Sequence, residues 1–355
     1  MAIKAYRRAD AALRSERVMQ EKGAMCALRL GGACPFVVEL LDTSKDDEFL
    51  YFWQTAILGG SLHKHIFRQG HSLYPSTVQG LAAELVSALR HLANCAVVHR
   101  DLKLNNVLLD AAGHAVLCDF SSAKLVHHSA LSGALVLSDL PKCSTLTGSL
   151  HVMAPEMAAI VDNNDGSHSL PVDWWALGIV IYEMMTGTSF PWNHREEDES
   201  GSGGGGGGPS SRVRLAASRL LENAMEDPDM QGCWDWTGIT PCAFGQACFV
   251  AKDAHLGPEA RHLIQALVTA APLQRYSRLT GAGDSPTLDN FFAGLEAHPF
   301  FQGIPWDSVH TGTGPSPWPD FDRRLGFLEI VDGADDGDNQ VPTTEQQLLF
   351  NDFCG

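Results

Sequence analysis

The sequence lacks the features that would place the protein in a membrane or an oxidising compartment. It has no run of about 18 apolar residues, so no transmembrane helix is expected. Its first 20 residues also lack the apolar centre of a signal peptide. The nine cysteines include no C-x-x-C pair, which is typical of reduced, scattered thiols. We therefore expect a cytoplasmic protein, with the nucleus as the alternative address.

Positive charge is scarce as well. Against 42 acidic residues the chain has only 25 lysines and arginines, and its formal net charge is −17. A chain of this charge gains nothing from the phosphates of nucleic acid or of anionic lipid, which argues against both as main partners. Hydrophobic residues make up 45% of the 355 residues, which is enough for a large core.

A glycine-rich phosphate-binding loop is also missing. Outside the glycine run at 201–208, no G-x-G-x-x-G occurs anywhere in the sequence. That run belongs to a stretch at 193–213 rich in acids, glycine and serine, whose composition is typical of a flexible surface insertion.

The apolar pattern predicts a strand-rich beginning followed by a mainly helical remainder. The segment at 173–187, "DWWALGIVIYEMMTG", is apolar nearly all round, and such a helix is expected to be buried on every side. Strands are predicted at 37–42, 48–56, 107–109 and 115–118, and the other helices at 11–20, at 76–93 and around 263–268.

The segment "VVHRDLKLNNVLL" at 97–109 contains the pattern H-R-D-L-x-x-x-N, the catalytic loop of protein kinases. Phosphoryl transfer requires an acceptor that orients the incoming hydroxyl, a cation on the transferred phosphate and an oxygen ligand for Mg²⁺. Asp101, Lys103 and Asn106 are the candidates for these three roles.

Two further motifs follow in the expected order. "LCDFSSAK" resembles the D-F-G segment, with Asp119 as a second Mg²⁺ ligand and Ser121 in place of the glycine. "MAPE" supplies the A-P-E motif that closes an activation segment. Its glutamate, Glu156, is expected to pair with a distant arginine, for which Arg275 is the first candidate and Arg278 the second.

From residue 4 to about 301, the chain resembles a eukaryotic protein kinase. The resemblance implies an α+β, bilobal kinase-like fold, with a truncated N-terminal β-rich lobe and a mainly α-helical C-terminal lobe. It implies a small lobe at 1–58, a large lobe at 59–301 with the insertion at 193–213, and a tail at 302–355. It also implies transfer of the γ-phosphate of ATP to protein hydroxyls with Mg²⁺ as cofactor. Asp173 in "VDWWALG" is expected to hold the backbone of the catalytic loop.

Within that family the chain resembles the AGC group of serine/threonine kinases. The segments that carry this resemblance are "VDWWALGIVIYEMMTG", "RLTGAGD", "AHPFFQGIPW", "PWPDF" at 317–321 and the terminal "FNDF" at 350–353. Lys103 is typical of serine/threonine specificity. The resemblance places Ser149 beside the catalytic aspartate. It also places Thr145 at an activation-loop site that an upstream kinase would phosphorylate, and Arg100 would pair with the phosphate on Thr145.

"MAIKAY" resembles the V-A-I-K strand, which makes Lys4 the lysine that grips the ATP phosphates. Its ion-pair partner is expected in the following helix, with Glu16 as the first candidate and Glu21 as the alternative. The glycine-rich loop should precede this lysine. Two explanations stay open: the sequence continues upstream, or the chain is a pseudokinase that acts as a binding or scaffold module.

The resemblance also assigns the adenine and peptide sites. Backbone groups of the hinge from Thr55 to Ile57 are expected to meet adenine. AGC kinases read basic substrates with three acids, and here Ser61 and Asn105 occupy two of those positions and only Glu183 is acidic. A weakened preference for basic substrates is therefore expected.

Overall fold

The computed structural model describes residues 1–9, 15–67, 72–126, 143–145, 147–157, 167–190, 256–269, 271–281 and 287–323. The predicted insertion at 193–213 and the "FNDF" segment lie outside the described residues. Within the described part of the chain, no helix is long and apolar enough to cross a membrane. The mixture of a strand-rich beginning and a helical remainder confirms the predicted α+β class.

The first part of the chain forms a three-stranded antiparallel sheet and one helix. Strands β1 (Ala2–Arg7), β2 (Leu40–Lys45) and β3 (Phe49–Gln54) lie in the order β1-β3-β2. Lys4 pairs with Phe52 in the β1–β3 register. Helix α1 (Ser15–Leu30) packs beside the sheet, and it ends later than the predicted helix at 11–20, whose first four residues lie outside the described part of the chain.

The predicted strand at 37–42 is wrong in its position. The strand begins at Leu40, and the residues before it lie against the large lobe instead. Val37 forms a parallel bridge with Leu117, the Val38 amide donates to the Leu117 carbonyl at 2.9 Å, and the Leu117 amide donates to the Phe36 carbonyl at 2.8 Å. This segment therefore ties the region after α1 to the hairpin that precedes Asp119.

The second part is built on two long buried helices, which are preceded by a short one. Helix α2 is short (Leu62–Phe67), and α3 (Pro75–Asn94) begins with a proline in its first turn, where a missing amide costs nothing. The predicted apolar stripe of α3 is confirmed, since its members are at most 3% exposed: Val78, Leu81, Ala82, Leu85, Leu89 and Leu92. Helix α4 (Pro171–Thr186) is buried on every side, as its apolar sequence predicts.

Short strands carry the polar motifs between these helices. Strand β4 (Val97–Val98) pairs with β7 (Lys124–Leu125), and β5 (Val107–Leu109) pairs with β6 (Ala115–Leu117) as an antiparallel hairpin. Three-residue 3₁₀ turns at Leu104–Asn106 and Phe120–Ser122 connect them to the polar loops.

The remaining helices cover the base of the large lobe. They are α5 (Pro258–Leu267), α6 (Pro272–Thr280), α7 (Leu288–Glu296) and α8 (Trp306–Thr311). Helix α5 packs directly on α4, where a side chain on Gly178 would lie 2.9 Å from the Leu267 Cβ. That close approach explains a glycine in the middle of a buried helix.

The beginning of the predicted tail is packed rather than extended. Trp306 lies edge-on to Phe301, with ring centroids 5.3 Å apart. The rings of Trp318 and Phe321 both lie edge-on to the His65 ring, at 5.4 and 5.5 Å. The division of the chain at residues 58 and 301 stays a prediction.

Candidate active site

The site begins with the catalytic loop at 99–106, which is held from below by the buried helix α4. The Asp173 carboxylate accepts hydrogen bonds from the backbone amides of His99 and Arg100, both at 2.8 Å. Asp173 is 2% exposed, and burial raises its pKa against the effect of these two amides and of the neighbouring His99 and Arg100 charges. The arrangement confirms the predicted contact between Asp173 and the loop. It also holds Arg100 at a φ of 66°, a left-handed conformation that side chains seldom adopt.

Asp101 lies at the centre of the loop and is 6% exposed. Its Oδ2 lies 2.9 Å from the Lys103 Nζ and 3.1 Å from the Asn106 Nδ2, and its Oδ1 accepts the Ser149 amide at 2.8 Å. Lys103 in turn donates to the Ser149 hydroxyl at 2.7 Å. The predicted proximity of Ser149 to Asp101 is confirmed.

Gly148 makes this contact with the activation segment possible. It has a φ of 91°, and a Cβ at this position would lie 2.3 Å from the Arg100 carbonyl oxygen. Only glycine allows the segment to approach the catalytic loop so closely.

Asp119 follows the β5–β6 hairpin and faces Lys4. The Asp119 Oδ1 lies 2.8 Å from the Lys4 Nζ, and its side chain is 38% exposed. Burial opposes the charge of Asp119, but the Lys4 ammonium and the hydrogen bonds overcome that effect and lower the pKa to about 2. The Asp119 carboxylate is therefore ionised at neutral pH, as a ligand for Mg²⁺ must be.

Lys4 pairs with Glu21, not with Glu16, so the first candidate for this ion pair is wrong and the alternative is correct. The Lys4 Nζ lies 2.8 Å from the Glu21 Oε1, whereas Glu16 accepts a bond from Gln20 one turn along on the exposed face of α1. Burial disfavours the charged lysine, but Glu21 and Asp119 together raise the pKa of Lys4 above its ordinary value.

Tyr6 is a member of this group that the sequence did not reveal. Its hydroxyl donates to the Glu21 Oε2 at 2.5 Å, so the carboxylate receives one bond from each of two residues on β1. Lys4 and Tyr6 are two apart on a strand and therefore share a face, a signal that was present in the sequence.

Ser121 occupies the third position of the D-F-G-like segment without strain. It lies inside the 3₁₀ turn Phe120–Ser122, and the left-handed residue there is Asp119, with a φ of 60°. The Ser121 amide lies 3.4 Å from the Asp119 Oδ1. Phe120 is fully buried and lies edge-on to the His99 ring at 5.0 Å, so the segment is anchored beside the catalytic loop.

The activation segment is anchored at its far end by a buried ion pair. Arg275 is 0% exposed and reaches both Glu156 carboxylate oxygens, with Nη1–Oε1 at 2.6 Å and Nη2–Oε2 at 2.8 Å. Its guanidinium also donates to the carbonyls of Thr269 and Pro171. The choice of Arg275 over Arg278 is confirmed.

Thr145 lies where the sequence predicted it, beside Arg100. The Arg100 Nη1 donates to the Thr145 hydroxyl at 2.8 Å, and Thr145 is exposed. Two residues earlier, the backbone of Cys143 pairs with that of His168 through two hydrogen bonds of 2.7 and 2.9 Å. This pairing holds the segment next to the arginine.

The hinge segment at 55–58 connects the sheet to the large lobe. The Thr55 amide donates to the Glu39 carbonyl at 3.1 Å, so this amide is already bonded within the protein. The Thr55 carbonyl is the group that is left for the predicted contact with adenine. Ile57 is half-buried, and Leu58 after it is 57% exposed.

A match to the model of the protein kinase domain covers residues 1–282. The chain belongs to the protein kinase domain family. The predicted resemblance to a eukaryotic protein kinase of the AGC type is confirmed.

Several curated proteins are similar to this kinase domain. Ribosomal protein S6 kinase alpha-4 of Mus musculus is 26% identical over 317 residues, which is 89% of this chain and 33% of that protein. A probable serine/threonine-protein kinase of Dictyostelium discoideum is 26% identical over 90% of this chain and 57% of its own length. Serine/threonine-protein kinase YPK1 of Saccharomyces cerevisiae is 38% identical over 154 residues, 43% of this chain and 20% of that protein. This kinase domain thus spans about a third of the length of the first of these relatives.

Proposed function

We propose that the protein transfers the γ-phosphate of ATP to serine or threonine hydroxyls of other proteins. The observation that carries this proposal is the convergence of two groups on one site. Asp101, Lys103 and Asn106 contact one another in the catalytic loop, and Lys4 of the sheet pairs with Asp119 after the β5–β6 hairpin. The two groups are neighbours because the amide of Cys118, which directly precedes Asp119, donates to the Asn106 carbonyl at 2.9 Å.

Asp101 is positioned to orient the attacking hydroxyl and to receive its proton. As the new O–P bond forms at the γ-phosphorus, the bond to the β–γ bridging oxygen breaks and ADP leaves with that electron pair. Lys103 lies 2.9 Å from Asp101 and therefore places its positive charge where the transferred phosphate carries negative charge.

The donors present fit a Mg²⁺ ion. Asn106 directs its Nδ2 to the backbone and side chain of Asp101, which turns its amide oxygen the opposite way. That oxygen and the ionised Asp119 carboxylate are the ligand types that Mg²⁺ prefers. The ion would neutralise phosphate charge. Among the described residues, no group of three or more histidine, cysteine, aspartate or glutamate side chains could hold a metal by itself.

Lys4 would grip the α- and β-phosphates of ATP, and Glu21 and Tyr6 keep its ammonium in place. Adenine would contact the Thr55 carbonyl and the backbone of Ile57. Since Lys4 pairs directly with Asp119, phosphate and metal would have to separate these two side chains when ATP binds.

Incorporation of labelled phosphate from Mg-ATP into a generic protein substrate tests the proposal, with Asp101→Asn as the matched variant. A base in this role contributes about 10²–10⁴-fold, so we expect the variant to lose activity by that factor while it still binds ATP. Equal incorporation by both proteins would contradict the assignment. Nucleotide binding without transfer in either protein would support the alternative, a pseudokinase that acts as a binding module.

We propose Thr145 as the site at which an upstream kinase regulates this one. A phosphate on its exposed hydroxyl would meet Arg100, which already donates to it, and would hold the activation segment against the catalytic loop. Stoichiometric phosphorylation at Thr145 should raise activity several-fold over the Thr145→Ala variant. No change after phosphorylation at Thr145, verified by mass spectrometry, would contradict this role.

A further inference from the structure

Two histidines lie beside the catalytic pair Asp101 and Lys103. His151 belongs to the 3₁₀ turn Leu150–Val152, which begins directly after Ser149, the residue bonded to both members of that pair. His63 lies on α2, and this helix packs against the turn Leu104–Asn106 of the catalytic loop. Both histidines are half-buried. Each therefore belongs to an element that packs against the catalytic loop or is bonded to it.

Among the described residues, the acid of the catalytic loop is neutralised and the acid expected to read a basic substrate is buried. Asp101 is matched by Lys103 at 2.9 Å. Asn105 presents an uncharged, exposed amide, and Ser61 is uncharged and buried. Glu183, the acid expected to read a basic substrate, is only 3% exposed, and burial raises its pKa to about 7.

His151 interacts electrostatically with three titratable groups, namely Lys103, Asp101 and His63. Burial first, and then the positive charges of Lys103 and His63, lower the pKa of His151 below its ordinary value, while Asp101 opposes them. His151 is therefore neutral at neutral pH. An anion placed beside it would reverse this balance, and binding of the anion would be coupled to uptake of a proton.

We infer that the kinase prefers a substrate with an anionic side chain, carboxylate or phosphate, within about three residues of the target hydroxyl, where His151 and His63 would bind it. An extended peptide advances about 3.3 Å per residue, so a side chain two or three residues from the target spans the distance between neighbouring groups of this site. The inference rests on the proposed phosphoryl transfer to proteins and specifies its substrate class.

Four peptides that differ only in the residues flanking a single serine provide the test. The flanking residues are aspartate, phosphoserine, asparagine or arginine. We expect kcat/KM of the full chain to be about tenfold higher for the anionic peptides than for the arginine peptide at pH 6.5. The ratio should decrease between pH 6.5 and pH 8, because His151 then holds its added proton less readily. The first two peptides distinguish a carboxylate ligand from a phosphate.

Variants at His151 separate charge from structure. His151→Gln keeps a hydrogen-bond donor but cannot be protonated, so it should flatten the pH dependence of the ratio. His151→Glu should reverse the preference towards the arginine peptide. His310→Gln, on helix α8 outside the site, is the matched control and should leave the ratio unchanged.

A higher kcat/KM for the arginine peptide, with transfer still dependent on Asp101, would overturn the inference and leave the proposed function intact. An absence of transfer to all four peptides would count against the proposed function instead. Fluorescence anisotropy with labelled peptides and a non-hydrolysable ATP analogue then still measures the preference. Equal or weaker binding of the anionic peptides in that assay would likewise overturn the inference.

Discussion

Asp101 and Lys4 belong to two sides of the proposed site, and the two sides are held by different means. Asp101 lies on a loop whose backbone is bonded to the buried Asp173, and the nearby activation segment ends at the fully buried Arg275. Lys4 lies on a strand at the edge of the described sheet, is 30% exposed and depends on Glu21 of a separate helix. The first side is a platform anchored by buried partners, whereas the second depends on an ion pair between a strand and a separate helix.

The largest expected effect is on the platform. Arg275→Met removes both bonds to Glu156 and leaves the Thr269 and Pro171 carbonyls without their donor. Loss of one partner of a buried ion pair costs about 3–5 kcal/mol, and we expect the free energy of unfolding to decrease by that amount. Chemical denaturation measures it.

Arg278→Met, on the same helix and more exposed, is the matched control, and its effect should stay within about 0.5 kcal/mol. Equal effects of the two substitutions would mean that the ion pair with Glu156 does not anchor the segment.

The next effect concerns the side of the proposed site that contains Lys4 and Glu21. Glu21→Gln weakens the support of Lys4, and misplacement of a substrate-binding group by about 1 Å can cost on the order of 100-fold in rate. We therefore expect a decrease of about that size in kcat/KM for ATP, with little change in stability, measured by steady-state kinetics and thermal unfolding.

Glu16→Gln on the same helix should leave these kinetics unchanged, because Glu16 is bonded only within the exposed face of α1. A larger loss in Glu16→Gln than in Glu21→Gln would restore the pairing first expected from the sequence.

A smaller effect concerns Glu183, a buried acid on helix α4. Burial raises the pKa of Glu183 from 4.5 to about 7, so the folded protein retains a proton there that the unfolded chain has released. Stability should therefore decrease as the pH rises from about 4.5 to about 7 and then level off. Glu183→Gln should remove this dependence and stabilise the protein at pH 8 by roughly 2–3 kcal/mol.

Denaturation curves of the two proteins across that pH range measure the difference. If they keep a constant separation from pH 4.5 to pH 8, the carboxyl group does not titrate in this range in the folded state.

The smallest effect is expected at Ser121, in the D-F-S segment that follows the β5–β6 hairpin. Ser121→Gly restores the D-F-G sequence, but position 121 lies in a 3₁₀ turn with an ordinary φ, so glycine gains nothing there. A cost of about 0.5 kcal/mol and an activity within about twofold of the original are expected. An increase in activity of tenfold or more would show that the serine restrains a movement of Asp119.

The difference between the two sides also explains what the sequence could predict. The catalytic loop, the D-F-S segment and the A-P-E motif are local patterns. In the structure Asp101 contacts Lys103 and Asn106, and Asp119 pairs with Lys4. The pairing of Lys4 was harder, because which face of α1 points inwards depends on where the helix begins and how it packs. Glu16 and Glu21 are both plausible in sequence, and only the tertiary structure separates them.

Strand alternation would have revealed Tyr6, but no local signal distinguishes Val37 and Val38 from strand residues. Their apolar side chains are buried as a strand would bury them. Their backbone groups, however, bond to the β5–β6 hairpin, a partner about 80 residues away in sequence.

The hydrogen bonds of Phe36 and Val38 to Leu117 also fix one end of helix α1. Its last turn is tied down, since His91 contacts the Leu28 carbonyl at 3.3 Å and the segment that follows is bonded to Leu117. Glu21 lies nine residues before the end of the helix, about 13 Å away at 1.5 Å per residue. A rotation of only about 10° about the tied end would carry its carboxylate by roughly 2 Å, enough to break a hydrogen-bonded ion pair. A displacement of the first turns of α1 relative to this fixed end would therefore separate Glu21 from Lys4 and release the lysine from its partner.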